Sequence, residues 1–188
     1  MEFTNSPPDV IRSINQIWLL QYWTRLRAAH PFPPVRALNA EKLTSISANL
    51  LMTEVVNANT SGNARFLICF NGARIAESMG MGSPNQCKGR FLDEVLPASY
   101  CAAAHSTFHQ VVAARKPVYT MADMRDEVGR IVHYERLLLP FGLNGFAVDH
   151  ILASLEAVSP EGAFENRDLM KAPSRPPAFA LCTIIDVG

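Results

Sequence analysis

Val118-Tyr-Thr-Met-Ala-Asp-Met-Arg125, Ile131-Val-His-Tyr-Glu-Arg-Leu-Leu-Leu-Pro140 and Val148-Asp-His-Ile-Leu-Ala-Ser-Leu-Glu-Ala-Val158 are three apolar runs separated by Asp126-Glu-Val-Gly129 and Gly142-Leu-Asn-Gly145. Runs of this length, bounded by turn-forming residues, read as strands, and connections this short join antiparallel neighbours. The segment is therefore an antiparallel meander. A sheet of this kind needs an apolar cover, which the rest of the chain must supply.

The cover lies immediately upstream. From Ala98 to Arg115 the residues Cys101, Ala104, Phe108, Val111 and Val112 recur at helical spacing and make one apolar face, and Lys116-Pro117 ends the helix. Ala73 to Pro97 carries glycine, proline and only short helical patterns, as a loop-rich connector does. Before it, Leu50 to Asn57 and Ala64 to Asn71 are strand-like and flank Asn57-Ala-Asn-Thr-Ser-Gly-Asn63, which predicts a β-hairpin. On the second of these strands Phe66, Ile68 and Phe70 share one face and Leu67, Cys69 and Asn71 the other. Both faces are largely apolar, so a sheet covered on both sides is expected.

At the N-terminus, Ser6-Pro-Pro-Asp9 has the residues of a helix start and predicts a helix from about Pro7 to Ala29, stopped by Pro31, Pro33 and Pro34. Its wheel has two apolar stripes: Ile11, Ile14, Trp18 and Tyr22 on one, Leu19, Trp23 and Leu26 on the other. Either one stripe packs on the parent domain and Ile11, Ile14, Trp18 and Tyr22 meet a second copy or a partner, or both are buried internally. A short helix is expected at Ala40 to Ser47. Glu161 to Pro177 reads as a linker, and Phe179 to Val187 as a strand that docks on a sheet edge of its own chain or a neighbour's. The chain thus divides into an N-terminal helix and linker with a dimerisation role (1–36), a central domain (37–158) and a C-terminal linker and tail (159–188).

Two strands, short helices, one long helix and three strands form the element order of the PAS fold. Particular words sharpen the likeness: Tyr22-Trp23 with Leu26-Arg27, Pro34 and Arg36, Arg65-Phe66, Gly72-Ala-Arg-Ile75, Gly89-Arg90, Tyr134-Glu-Arg-Leu-Leu-Leu-Pro140 and Val148-Asp149. Over roughly Gln21 to Glu156 the chain resembles the stand-alone bacterial PAS-like family. The resemblance implies an α+β fold: a five-stranded antiparallel sheet with a helical cover and an N-terminal helix. It also implies a module that binds small ligands or cofactors, dimerises and relays signals. The chain departs from the family at its second strand, where Cys69 and Gly72-Ala73 stand in place of an Arg and a Gly-Thr pair, and in extra length between Gly80 and Gly89.

Candidate ligand-binding residues are Phe66, Cys69, Phe108, Tyr134 and Arg136. Along Ile131 to Pro140, His133, Glu135 and Leu137 face one side, and Tyr134, Arg136 and Leu138 the other. If the second set points inward, Arg136 must be paired or bind an anion, because an unpaired buried charge is very costly. The alternative is a solvated Glu135–Arg136 edge, or Arg136 paired with Asp123 across strands, and this is the expectation. Asn85-Gln-Cys-Lys-Gly-Arg-Phe-Leu92 superficially resembles the flavin-binding word of photoactive PAS proteins, but Cys87 precedes Gly89-Arg90 and no cysteine occupies the photochemical position. His105 and His109, four apart on the long helix, lack the third ligand of a metal site and read as one border and one solvated histidine. No cofactor is designated and no metal is expected.

The 17 acidic and 17 basic residues cancel, which removes the attraction behind non-specific nucleic-acid binding. The apolar runs stop far short of the roughly 20 residues that cross a bilayer, and Met1 to Pro8 lacks the basic start and apolar stretch of a signal peptide, so export is not expected. Cys69, Cys87, Cys101 and Cys182 form no C-x-x-C pair and read as reduced cytosolic thiols. A cytoplasmic, homodimeric sensory module without catalytic activity is expected, binding a small molecule or a signalling partner. The competing reading is a small α+β barrel enzyme using Asp149 and His150, or Asp123 and His133, for acid–base chemistry. Adjacent strand residues point opposite ways, which counts against Asp149 with His150.

Overall fold

The computed structural model describes residues 1–57, 64–126, 128–171 and 177–188. Seven strands form one sheet: β1 (Thr4–Ser6), β2 (Leu50–Val56), β3 (Arg65–Asn71), β4 (Val118–Arg125), β5 (Ile131–Phe141), β6 (His150–Val158) and β7 (Ala178–Ile185). Their order is β1-β7-β4-β5-β6-β2-β3. The expected five-stranded antiparallel sheet is present as β3-β2-β6-β5-β4, all of its pairs antiparallel. The expectation of five strands is nevertheless corrected to seven. β7 adds antiparallel to β4, and β1 adds parallel to β7. The free edge of β4 would otherwise leave its N–H and C=O groups unpaired, and the chain's own tail takes that edge.

The N-terminal helix also starts later than expected. α1 (Ile14–Arg27) is capped by Ser13, whose hydroxyl accepts from the Gln16 N–H at 3.4 Å. Ser6 is no cap: it ends β1, opposite Ile185. A residue before proline is pushed to extended backbone, and Ser6 precedes Pro7-Pro8, so the chain pairs as a strand where a helix start was expected. α2 (Ala40–Leu43) runs on into a 3-10 turn over Thr44–Asn49, close to the expected short helix. α3 (Ala73–Ser78), α4 (Leu92–Val95) and α5 (Ala98–Ala114) follow. Gly72, at the start of α3, is required by close approach: a Cβ there would lie 2.1 Å from the Ser47 carbonyl oxygen.

Two helices cover the two faces of the sheet. On the outer face α1 buries Leu19 and Trp23 completely, and the Trp23 indole donates to Pro140 O at 2.8 Å. The Gln16 side-chain amide donates to Glu135 O at 3.3 Å and Ser154 O at 3.0 Å, so the helix is tied across β5 and β6. α5 packs on the inner face against β4 and β5. The expectation that the 65–71 strand is buried on both sides is corrected: Phe66 and Ile68 are buried, but Leu67 and Cys69 are only half-buried. β3 ends the sheet, beyond the reach of α1, and the Gly89–Arg90 backbone bonds to Ile68 at its edge instead.

The expected hairpin loop falls largely on 58–63, and the proline-rich linker on 172–176; both lie outside the described residues, as does Glu127 in the expected 126–129 turn. What is described of 161–171 is no free linker. Leu169 and Met170 are buried, and the Asp168 and Met170 N–H groups donate to Glu77 O and Ser78 O at 3.0 and 2.8 Å. Among the described residues no helix is long and apolar enough to cross a membrane.

Candidate functional site

The alternation of β5 decides what lies between the sheet and α5. Glu135, Leu137 and Leu139 turn outward beneath α1, which sends Tyr134, Arg136 and Leu138 inward. There they border a cavity of about 40 Å³. α5 supplies Tyr100, Ala104 and Phe108 to its wall, and the C-terminal segment supplies Met170 and Phe179.

Arg136 is not the solvated or Asp123-paired residue expected from the strand pattern. Its Nε donates to Thr120 Oγ1 at 3.0 Å and its Nη2 to Thr107 Oγ1 at 3.1 Å. Both threonines are buried, and the Phe179 ring centroid lies 5.2 Å from the guanidinium carbon. Among the described residues no carboxylate pairs with it; Asp123 instead meets His133 at 2.7 Å. The reason is register. Arg136 stands opposite Thr120 on β4, whereas Asp123 stands opposite His133. Burial pushes the Arg136 guanidinium below its ordinary value, although a guanidinium stays charged in proteins.

Tyr134 lies on the same face, two residues away. It is 8% exposed, and its hydroxyl has no hydrogen-bond partner among the described residues. Burial raises its pKa first of all, with the nearby Arg136 charge acting in the opposite sense. A half-buried cation whose hydrogen bonds among the described residues go only to neutral hydroxyls, and a phenol without a partner among them, thus line one mostly apolar chamber.

Of the five candidate ligand residues, the structure brings Phe108, Tyr134 and Arg136 together at the cavity. Phe66 is buried behind Phe108, ring centroids 4.9 Å apart, and packs edge-on against His105 and His109. Cys69 lies on the other face of β3, its thiol 3.6 Å from Leu67 O, and burial raises its pKa. His109 is therefore not the solvated residue expected, because Phe66 widens the apolar face of α5 to reach it. Among the described residues no group of three or more His, Cys, Asp or Glu is arranged to hold a metal ion. On the N-terminal stripe, Ile11 and Tyr22 are buried in the chain's own core, Trp18 stacks on Tyr22 at 5.5 Å, and Ile14 is 83% exposed.

Both acid–base pairs exist as contacts. Asp149 Oδ1 is 2.6 Å from His150 Nδ1, contrary to the opposite-facing expectation, because Asp149 precedes β6 and is free of its alternation. Yet His150 pairs with Phe141 and His133 with Val158, at opposite ends of β5, and neither lines the cavity. Sequence reasoning missed Thr107, Thr120 and Phe179. Thr107 had a readable signal: it is a polar residue on the Ala104–Val111 stripe of an otherwise apolar helix face.

A family model described as a PAS domain matches residues 11–156. Among solved structures, the chain is similar to the Vibrio cholerae VqmA dimer in the absence of target DNA, at 14% identity and TM-score 0.47, over 68% of this chain and 55% of that one. It is similar to the VqmA–ligand–DNA complex of Vibrio cholerae at 14% identity and TM-score 0.45, over 64% and 51%. Similarity to the Rhodobacter sphaeroides LOV protein is 12% identity and TM-score 0.42, over 66% and 71%. The chain spans about half the length of the VqmA chains it matches. No curated protein matches it.

Proposed function

This chain belongs to the PAS domain family, and we propose that it is a non-catalytic sensory module that takes a small molecule into the cavity between β5 and α5. The observation that carries this reading is that Arg136 and Tyr134, whose hydroxyl has no partner among the described residues, line one mostly apolar chamber, while the Asp–His contacts lie outside it. Ligand sites are concave, mostly apolar and equipped with a few polar groups that fix orientation. An acid–base enzyme would need two titratable groups converging on one substrate position.

Occupancy is sensed through the elements that line the chamber. β5 carries Trp23 of α1 on its outer side through Pro140, and β7 brings the C-terminal segment to the wall through Phe179. A change in the chamber therefore reaches both ends of the chain. Output runs in the cytoplasm through a second copy or a signalling partner, and exposed Ile14, beside half-buried Trp18, is the surface offered on α1.

Native mass spectrometry of the purified full chain, followed by a thermal-shift screen of small organic acids, bases and neutral compounds, tests the ligand. Wild type is expected to carry or be stabilised by a small molecule, and Ala104→Leu, which fills the chamber, to lose that response while keeping its circular dichroism. No bound molecule and no stabilising compound in wild type would overturn the reading. Light scattering of Ile14→Glu tests the surface: a smaller assembly than wild type is expected, and an identical one removes Ile14 from the interface.

A further inference from the structure

We infer that the chamber selects a short-chain organic monoanion, a carboxylate of about two to four carbons, whose head lies between Arg136 and Tyr134 and whose hydrocarbon end meets the apolar wall. This rests on the reading of the chamber as a ligand site and specifies its chemistry.

The charge argument comes first. Arg136 offers five donors; among the described residues two hydroxyls take Nε and Nη2, and Nη1 has no acceptor. Thr107 and Thr120 orient the fork without neutralising it, and a half-buried guanidinium, with reduced access to water, is stabilised by a counter-charge. The fork geometry matches a carboxylate, which accepts two parallel N–H bonds. Tyr134 supplies the next donor. Residues i and i+2 of a strand are about 7 Å apart on one face, so one carboxylate can accept from the Tyr134 hydroxyl as well as from the reaching arginine side chain.

The remaining wall narrows the class. One cation balances one negative charge; a dicarboxylate or phosphate dianion would bring a second charge to a chamber that has no second cation among its described lining residues. Leu138, Phe108 and Met124 also border it, surfaces that favour carbon over an inorganic ion. Size sets the upper limit. A water needs about 10–15 Å³ of such space, so the chamber of about 40 Å³ admits only a few heavy atoms beyond the donors.

The test uses the full chain, dialysed, with sodium acetate, propionate and butyrate as probes, propionamide as the uncharged isostere and sodium chloride to match ionic strength. Calorimetric titration and thermal shift are expected to show propionate binding at least tenfold tighter than propionamide. Arg136→Met should lose the propionate response, and Tyr134→Phe should weaken it several-fold with the fold unchanged. If Arg136→Met fails to fold, Arg136→Lys serves, because it keeps the charge and loses the fork; about tenfold weaker binding is expected and unchanged affinity overturns the assignment. Equal binding of acid and amide, or wild-type binding by Arg136→Met, overturns the anion while leaving the chamber a ligand site. No binding of any carboxylate overturns it too, and native mass spectrometry then decides separately whether another molecule occupies the chamber.

Discussion

The two faces of β5 are built from neighbouring residues and solve opposite problems. Outward, Leu137 and Leu139 are completely buried against α1, and the one charged residue, Glu135, accepts a 2.8 Å hydrogen bond from Tyr119 while staying half-exposed. Inward, Tyr134 and Arg136 lie in a partly hollow layer under α5; among the described residues the Tyr134 hydroxyl has no partner and Arg136 donates only to hydroxyls. A filled face contributes stability through lost water contact and close packing; a hollow face that holds a cation costs stability until something binds there. The difference is the basis for reading the outer face as scaffold and for the proposal that the inner face binds a ligand.

The largest effect should come from breaking the scaffold side. Trp23→Ala removes a fully buried indole and its bond to Pro140 and is expected to lower stability by about 3–5 kcal/mol, read from urea unfolding. Arg136→Met, on the other side of the sheet, should change it by no more than about 1 kcal/mol, because an apolar side chain replaces a half-buried charge without a counter-ion among the described residues. Equal losses from the two would erase the contrast.

A smaller effect sharpens it. Tyr134→Phe deletes a hydroxyl that has no partner among the described residues, so unfolding is expected to be unchanged or up to about 1 kcal/mol more costly. A clear loss of stability would mean the hydroxyl is bonded within the resting protein.

The smallest effect is pH-dependent and sits at the rim of the inner face. Burial, and secondarily the neighbouring His105, hold the His109 imidazole below its ordinary value of 6.5. A base with a depressed folded pKa binds its proton more readily unfolded, so stability is full above about pH 6.5 and declines as pH falls through the lower folded value. Thermal unfolding of His109→Gln should be less sensitive to pH between about 7 and 5 than that of wild type. Parallel curves would place the titration elsewhere.

Much of this was readable along the chain. The six strands of β2 to β7 carry apolar runs between turn residues, and their observed bounds lie within about two residues of those expected. α5 announced itself by its 3.6-residue stripe, and the family by ordered words. β1 did not: Thr4–Ser6 has no apolar pattern and is a strand only because β7 presents an open edge. The alternation of β5 placed Tyr134 and Arg136 together but was silent on which side faces α5.

Local spacing, then, determined the strands, the long helix, the family and the pairing of Tyr134 with Arg136 on one face, because period and turn chemistry act over a few residues. Tertiary structure alone decided that this face is the inner one, that Thr120 and Thr107 hold the guanidinium from 16 and 29 residues away, and that Phe179 lines the chamber. Those contacts depend on strand register and on how a helix seats over the sheet, and side chains remote in sequence meet only once the whole layer has packed.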